Sequence, residues 1–162
     1  MINDMLFLAK ADHGLLVPGH APLTLHDEVD ALLEYYAPLA EDNDVQMLRE
    51  GEAVLHGDRH MLRRALSNLL DNAMRFTPAG GQIKVTLGPG PTINVANTGL
   101  AIDPAALPRL FDRFYRVDPA RREGSSEHAG LGLAITRSIV QAHGGCIRAE
   151  CEGGWTRFVI EF

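Results

Sequence analysis

The stretch Asn68-Leu69-Leu70-Asp71-Asn72-Ala73-Met74-Arg75-Phe76 decides how this sequence is interpreted. On a helix, Asn68, Asn72 and Arg75 lie along one face within about two turns. An apolar stripe lies about 100° around the same helix and predicts its buried side. That stripe consists of Leu62, Ala65, Leu66, Leu69 and Ala73. The stretch therefore predicts a helix that packs through one face and carries two amides beside it.

Two interpretations of these amides are open. Asn inside a helix is a poor helix former, and its side chain usually faces water. A second amide at the i+4 position, followed by a cation and an aromatic ring, instead favours a binding site. Amide oxygens are suitable ligands for Mg²⁺, so the pattern is typical of a site for a metal-bound nucleotide.

A second motif, Gly130-Leu131-Gly132-Leu133, opens an amphipathic helix that ends at His143-Gly144-Gly145. Glycines at a helix start let an anion approach the free backbone N–H groups, and the helix dipole favours negative charge there. The alternative is an ordinary flexible loop before the helix. The motif is neither a P-loop nor a dinucleotide fingerprint, because it lacks the Gly-Lys-Ser/Thr ending and does not follow a strand.

Two further motifs, Asn97-Thr98-Gly99-Leu100-Ala101-Ile102 and Phe111-Asp112-Arg113-Phe114-Tyr115-Arg116, lie between these stretches. With all four in this order, the sequence resembles the ATP-binding catalytic domain of bacterial two-component sensor histidine kinases from about residue 23 to residue 162. The wording of residues 61–78 and 107–119 is most similar to heavy-metal sensor kinases of the copper and silver type. The resemblance implies an α/β two-layer sandwich of the Bergerat type, a mixed sheet packed on three helices.

The resemblance also implies roles for individual residues. Asn72 would ligate Mg²⁺, Asn68 would contact phosphate or metal-bound water, and Arg75 would pair with phosphate. Phe76 would stack on adenine, and Arg116 would stabilise the charge on the γ-phosphate during transfer. The implied site for ATP and Mg²⁺ comprises Asn68, Asn72, Arg75, Phe76, Asn97, Gly99, Ala101, Ile102, Tyr115, Arg116, Gly130, Leu131, Gly132, Leu133 and Thr156. Among these, Asn68, Asn72, Arg75 and Arg116 are the predicted catalytic residues.

Two predictions concern the region from the third motif to the fourth. A surface ion pair is the alternative role for Arg113 and Arg116, and it competes more strongly for Arg113. Residues 117–129 correspond by resemblance to an ATP lid, and the alternative is a surface loop without a role.

Several positions depart from the family pattern. Asn97 replaces the Asp that usually accepts a hydrogen bond from the adenine amino group, and an amide can accept the same bond without charge. Ala101 replaces a glycine, and His128 stands where glycine is frequent. Trp155 also replaces a glycine, and its indole either shields or fills the adenine pocket or serves as an ordinary strand aromatic.

Composition bounds the possible functions. The 162 residues carry a formal charge of −6, which argues against nucleic acid as the main partner. No segment approaches the roughly 20 apolar residues of a membrane span, so we expect a soluble fragment.

Cys146 and Cys151 are five residues apart in an apparent strand, a separation that places their side chains on opposite faces. We expect both to be free thiols in a reducing compartment.

The first residues indicate a helix, with Ile2, Met5, Leu6 and Ala9 at helical spacing. By resemblance, residues 1–22 are the end of a dimerisation helix and a linker, and residues 23–162 are the catalytic domain. The apolar face of this helix either folds back onto the domain or forms a weak dimer. The resemblance implies a membrane-anchored homodimer whose catalytic domain lies in the cytoplasm beneath a bacterial inner membrane.

The expected partners are the dimerisation domain, with its phosphoacceptor histidine, and a response regulator. The nearest candidate acceptor in the chain, His26 in His26-Asp27-Glu28-Val29, lacks the base and proline that follow the family's acceptor. Its helix is predicted to pack in the core. We therefore expect the acceptor upstream of residue 1.

The coarse pattern predicts an irregular arm at 14–22, a helix at 26–41 and strands at 45–49 and 53–56. The helix with the amides then begins at an Asp58 N-cap. Residues 82–87 and 92–96 predict an antiparallel hairpin, and residues 157–162 a final strand.

The predicted function is binding of Mg²⁺-ATP and transfer of its γ-phosphate to a histidine on the dimerisation domain. One alternative is a degenerate nucleotide-binding module that regulates without transfer. Another is ATP hydrolysis coupled to clamp closure, as in type II topoisomerases and heat-shock chaperones. That chemistry depends on a glutamate in the amide-bearing helix, and the sequence has no Glu between Asp58 and Phe76.

Overall fold

The computed structural model describes residues 2–115 and 130–162. Within those ranges the elements run α1 Ile2–Asp12, β1 Ala21–Thr24, α2 Leu25–Asp42, β2 Gln46–Glu50, β3 Val54–Gly57, α3 Arg59–Phe76, β4 Gln82–Leu87, β5 Thr92–Thr98, a 3₁₀ helix Leu107–Phe111, α4 Gly132–Ala142, β6 Cys146–Glu152 and β7 Trp155–Glu161. No helix among them combines the length and the apolar character needed to cross a bilayer.

Five strands form a mixed sheet in the order β2-β4-β5-β7-β6. The β2–β4 pair is parallel and the other three pairs are antiparallel. A separate antiparallel ribbon joins β1 to β3. The helices α2, α3 and α4 pack against the large sheet, and α1 packs on α4. The predicted α/β sandwich with a mixed sheet on three helices is therefore confirmed.

Strict alternation in the hairpin strands places one apolar face on the helices. In β4 the buried residues are Ile83, Val85 and Leu87, which lie opposite Asn97, Val95 and Ile93 of β5. The predicted stripe of α3 is buried in full and extended by Leu70. Its C-terminal part packs in the cluster that contains the sheet residues, whereas Leu62 and Ala65 pack in a second cluster with residues of α1 and α4. Burial of this kind contributes about 1.5–3 kcal/mol for each large aliphatic side chain, so the stripe orients α3 about its axis.

The start of α3 is fixed by the predicted cap. The Asp58 carboxylate accepts hydrogen bonds from Met61 N (3.0 Å) and Gly19 N (3.1 Å). These backbone N–H groups hold the pKa of Asp58 below its ordinary value. The Asp58 N–H in turn donates to Nε2 of His143 at 3.0 Å, which ties the start of α3 to the end of α4.

A buried tyrosine joins α2 to α3. Tyr36 is 5% exposed, and its hydroxyl lies 2.6 Å from Oδ1 of Asp71 and 2.9 Å from Oγ of Ser67. Burial, followed by the hydrogen bond to Asp71, raises the pKa of Tyr36. The hydroxyl therefore stays protonated, and its hydrogen bonds hold α2 beside α3.

The helix α1 folds back onto the domain, but not through the predicted face. Ile2, Met5 and Leu6 are 76%, 50% and 57% exposed, whereas Leu8 is only 2% exposed. Leu8 belongs to a cluster of buried residues with Leu23, Leu62, Ala65, Leu131, Ala134, Ile135 and Ile139. The helix is apolar on several sides, so its spacing alone did not select the face that packs.

Ion pairs at both ends of α1 accompany this packing. Asp4 pairs with Arg64 of α3, whose guanidinium carbon lies 4.6 Å from the ring centroid of Phe7. Asp12 lies 2.6 Å from Nη2 of Arg113, a residue of the third motif. The surface ion pair considered for Arg113 is thus what the structure contains.

The sequence prediction was wrong for the segment 14–22, because β1 begins at Ala21 within it. This four-residue strand contains Pro22 and exists by pairing with β3. A proline suits an edge strand, but nothing in so short a pattern identifies its partner. The predicted strand 82–87 matches β4, and the other predicted bounds differ from the structure by no more than two residues.

Candidate functional site

The amides of α3 lie beside the start of α4. Nδ2 of Asn68 donates to the carbonyl oxygen of Gly132 at 3.2 Å, and the same oxygen accepts from Oγ1 of Thr136 at 2.8 Å. Asn72 is one turn further along α3 and is half-buried. The structure thus brings together the first and fourth motifs, which are about 60 residues apart in sequence.

The start of α4 has no side-chain cap. The residue before its first turn, Leu131, is buried and cannot offer an oxygen to the first backbone N–H groups. Uncapped N–H groups at a helix start favour an anion, and here they lie next to the Asn68 amide. This arrangement is chemically suited to phosphate.

Gly130 joins the third motif to the fourth. Its carbonyl oxygen accepts from Phe114 N at 3.0 Å. Its backbone has φ +81°, and an added Cβ would lie 2.8 Å from the Phe114 backbone. Both the left-handed conformation and the close approach require glycine at this position.

The other end of α3 meets the second motif. An added Cβ on Gly99 would lie 2.9 Å from the carbonyl oxygen of Phe76, so only a glycine allows this contact. The guanidinium carbon of Arg75 lies 5.4 Å from the Phe76 ring centroid. Phe76 and Asn68 are eight residues apart, which is about 12 Å along the helix axis.

Three polar residues form a row across the sheet, and we call Asn97, Thr156 and Cys151 the polar row. Thr156 of β7 is paired with Asn97 of β5 on one side and with Cys151 of β6 on the other. Neighbours in register point to the same sheet face, which here is the face that packs on the helices. Asn97 is 4% and Thr156 is 6% exposed. The row is the polar end of an otherwise apolar surface.

The Asn97 side chain is oriented by its own strand end. Its Nδ2 donates to the carbonyl oxygen of Thr98 at 3.1 Å, so Oδ1 is the group that can accept a further bond. An acceptor in this position suits an exocyclic amino group of a base.

From the sequence, Cys151 was predicted only as a free thiol and not as part of the site. Its Sγ accepts from the backbone N–H of Ile102 at 3.4 Å and lies 3.7 Å from Oγ1 of Thr156. The signal that could have found it is the Gly153-Gly154 pair, which predicts a two-residue hairpin and thereby the register of Cys151 with Thr156. As predicted, Cys146 and Cys151 are free thiols, and Cys146 is exposed on the other face.

The remaining predicted residues are placed as follows. Tyr115 is half-buried against the core, with its ring centroid 4.6 Å from the guanidinium carbon of Arg109, while Ala101 is exposed. Arg116 and the predicted lid at 117–129 lie outside the described residues.

The position of Trp155 decides between the two roles that the sequence left open for it. It precedes Thr156 in β7, so strand alternation directs its indole to the sheet face opposite the polar row. The structure thus favours an ordinary strand aromatic over a residue that fills the pocket.

The donor set fits a magnesium ion that arrives with a nucleotide. Mg²⁺ keeps several waters and is usually held by one or two protein oxygens together with substrate phosphates. Asn72 offers such an oxygen, and no group of three His, Cys, Asp or Glu in the described ranges forms a metal cage. A single amide oxygen of this kind suits a metal that is shared with the phosphates of a nucleotide.

Comparisons with known proteins agree with this geometry. The family described as histidine kinase-, DNA gyrase B-, and HSP90-like ATPase matches residues 57–162. The chain is 48% identical to the sensor histidine kinase CusS of Escherichia coli K12 over 164 residues, which cover 99% of the chain and 34% of CusS. The chain thus spans about a third of the length of the curated relatives it matches.

Solved structures share the fold. A full-length ShkA in complex with AMPPNP matches with a TM-score of 0.83 and 25% identity, covering 98% of the chain and 34% of ShkA. The Acinetobacter baumannii histidine kinase AdeS matches with a TM-score of 0.81 and 20% identity, covering 98% of the chain and 74% of that structure.

Proposed function

The chain belongs to the histidine kinase-, DNA gyrase B- and HSP90-like ATPase family, and from this premise we propose that it binds Mg²⁺-ATP as the kinase domain of a sensor histidine kinase. In this proposal it transfers the γ-phosphate to a histidine on a dimerisation domain. The observation that carries the proposal is the contact of Asn68 with Gly132. This contact sets an amide-bearing helix against an uncapped helix start.

The nucleotide would extend along α3. Its base would lie by Phe76, Gly99 and the polar row, and its phosphates by Asn68 and the start of α4. These two places are about 12 Å apart along the helix, a span that suits an extended nucleoside triphosphate. The AMPPNP bound to ShkA, a protein of the same fold, supports this assignment.

Asn72 would hold the metal through its side-chain oxygen. Bound Mg²⁺ neutralises charge on the phosphates as it develops during transfer. Asn68 would orient a phosphate oxygen or a metal-bound water. Because its Nδ2 already donates to Gly132, the orientation of this amide is set before the ligand arrives.

Phosphoryl transfer would depend on electrostatics more than on acid–base chemistry. A bond forms between the γ-phosphorus and an acceptor histidine nitrogen, and the bond to the β,γ-bridging oxygen breaks, so that ADP leaves. Arg75, exposed at the end of α3, and Arg116 would stabilise charge on the phosphate oxygens.

The partners follow from the relatives. We assign residues 1–22 to the end of a dimerisation helix and linker, and residues 23–162 to the catalytic domain. The acceptor histidine would lie on the dimerisation domain of a membrane-anchored homodimer, with the catalytic domain in the bacterial cytoplasm. The phosphate would then pass to a response regulator. Resemblance to the copper and silver type supports a metal-responsive system.

Calorimetric titration with ATP, with and without Mg²⁺, tests this proposal first. We expect binding that requires Mg²⁺, and we expect Asn72→Ala to abolish the Mg²⁺ dependence while leaving the fold intact. Asn43→Ala is the matched control, since Asn43 is an exposed amide at the end of α2. Equal Mg²⁺ dependence in Asn72→Ala and the parent would exclude the metal-ligand role.

The phosphotransfer step needs its own assay. Mixed with a dimerisation domain that carries its acceptor histidine, the chain should form acid-labile phosphohistidine. Tight ATP binding without any phosphohistidine would instead favour the regulatory module that binds nucleotide without transfer. The uncharged Asn97, in place of the usual Asp, is the feature that favours this second candidate.

A further inference from the structure

Cys151 lies at the edge of the proposed base pocket, and none of the roles above uses it. We infer that Cys151 is a positioning residue for base recognition, a role that rests on the proposed binding of ATP. Its thiol holds the loop after β5 and orients the hydroxyl of Thr156 beside Asn97. The consequence is selectivity for adenine over guanine.

The first step of the argument is the register. Cys151, Thr156 and Asn97 lie opposite one another on three neighbouring strands and share the face that packs on the helices. This register is set by the two-residue turn Gly153-Gly154, whose φ values of +60° and +81° suit a tight hairpin. The paired strands and the tight turn therefore fix the position of the thiol.

The second step concerns the loop after β5. The hairpin of β6 and β7 holds both ends of residues 99–102, because Gly99 N donates to the Gly154 carbonyl at 3.2 Å and Ile102 N donates to Sγ of Cys151 at 3.4 Å. Ile102 also packs against the main hydrophobic core. Cys151 thus provides the side-chain anchor for a loop that borders the base.

The third step concerns the direction of the Thr156 hydroxyl. The sulfur already accepts the Ile102 N–H and lies 3.7 Å from Oγ1 of Thr156, a contact in which either group can donate. We assign the donor role to the thiol, because the sulfur already acts as an acceptor for Ile102. The Thr156 hydroxyl then donates into the pocket, while Oδ1 of Asn97 accepts.

A hydrogen-bond donor next to an acceptor complements the edge of adenine but not the corresponding edge of guanine. Adenine presents an acceptor ring nitrogen next to an amino donor, whereas guanine presents a ring N–H next to a carbonyl oxygen. The polar row therefore complements adenine when Cys151 directs the hydroxyl. A site that pairs its polar groups with one base rejects the other, because mismatched groups are left unpaired.

A purely structural role is the alternative, since a half-buried cysteine also packs as a small apolar side chain. Three substitutions separate the two roles. Cys151→Val fills similar space without a hydrogen bond, and Cys151→Ser keeps the donor and acceptor. Cys146→Val changes the exposed cysteine of the same strand on the opposite face. The readouts are the Kd values for Mg²⁺-ATP and Mg²⁺-GTP and the exchange rate of the Ile102 amide without nucleotide.

We expect Cys151→Val to weaken ATP binding about threefold to tenfold, with a smaller effect on GTP, so that the ATP preference falls. Exchange of the Ile102 amide should become faster. Cys151→Ser should restore most of the preference, and Cys146→Val should match the parent.

Two outcomes would overturn the inference alone, provided that the parent binds ATP. These are an unchanged Ile102 exchange rate in Cys151→Val and an equal loss of affinity for ATP and GTP, which would show simple packing. A parent chain that binds neither nucleotide would contradict the proposed function, and the role of Cys151 in base recognition with it.

Discussion

Asn97 sets the polarity of the proposed base pocket. It is buried, and its Nδ2 donates to the Thr98 carbonyl, which leaves an uncharged oxygen as the acceptor. Charge-assisted hydrogen bonds are roughly twice as strong as neutral ones, so a carboxylate here would attract an adenine amino group more strongly. A carboxylate would also repel the carbonyl oxygen of guanine at the same place.

We therefore expect Asn97→Asp to increase the preference for ATP over GTP by about threefold to tenfold. Competition between the two nucleotides in a binding titration measures this ratio directly. Asn43→Asp is the control for added charge, since it changes an exposed amide at the end of α2. A ratio that does not move in Asn97→Asp would argue against the contact between Asn97 and the base.

At the scale of residues, the sequence identified candidates for the site but not the contacts between them. Asn68 and Gly132 were each identified from their own helix, because helical spacing and helix-start glycines are local signals. Their hydrogen bond depends on how α3 packs on α4, which no local pattern encodes. The role of Cys151 was not predicted for a similar reason, since its contact with Thr156 depends on how β6 pairs with β7.

Among the elements, α3 carries both ends of the proposed nucleotide site, so its N-terminal cap bears on function. Asp58→Ala should cost about 1 kcal/mol of stability, because it removes the acceptor for the Met61 N–H. Asp58→Asn should cost less, since an amide oxygen can accept the same bond. Urea unfolding of the three proteins gives the free-energy differences.

The same cap predicts a pH dependence. The pKa of Asp58 is lowered in the folded chain from its ordinary value of 3.8. A lowered folded pKa adds stability that is fully present above the unfolded pKa and is lost as pH falls through the folded pKa. The stability gap between the parent and Asp58→Ala should therefore be constant near neutral pH and shrink below about pH 4. A gap that is equally large at pH 3 and pH 7 would contradict the ionised cap.

Prediction from sequence was most successful for elements with strong periodicity. The helix α3 and the β4–β5 hairpin were predicted because an apolar stripe and strict alternation are visible within one element. The strand β1 was missed because its identity depends on β3, which follows 30 residues later. The prediction of the packing face of α1 was wrong because the apolar residues of this helix are distributed around it.

In the molecule as a whole, two hydrophobic clusters share a boundary at Leu55 and Phe162. One cluster fills the space between the sheet and the helices, and the other joins α1 to α3 and α4. The second cluster includes Leu131, which directly precedes α4. The packing of α1 and the proposed phosphate site therefore rest on the same group of side chains.

A pair of leucines in α1 tests whether this docking contributes to stability. Leu8→Ala should cost about 2–4 kcal/mol in the free energy of unfolding, because Leu8 is 2% exposed within the second cluster. Leu6→Ala is the matched control, and it should cost no more than about 0.5 kcal/mol, since Leu6 is 57% exposed. Denaturant unfolding measures both, and equal costs for the two variants would mean that α1 is not held on the domain.

The hydrogen bond between Phe114 and Gly130 bears on how proteins of this architecture can diverge. Residues 116–129 connect two positions that are already held together by the domain. Each doubling of such a connection costs only about 0.6 kcal/mol in closure entropy. Insertions and deletions between these anchors are therefore thermodynamically cheap, so the length of this connection can change during evolution while the sheet, the helices and the contact between Phe114 and Gly130 stay as they are.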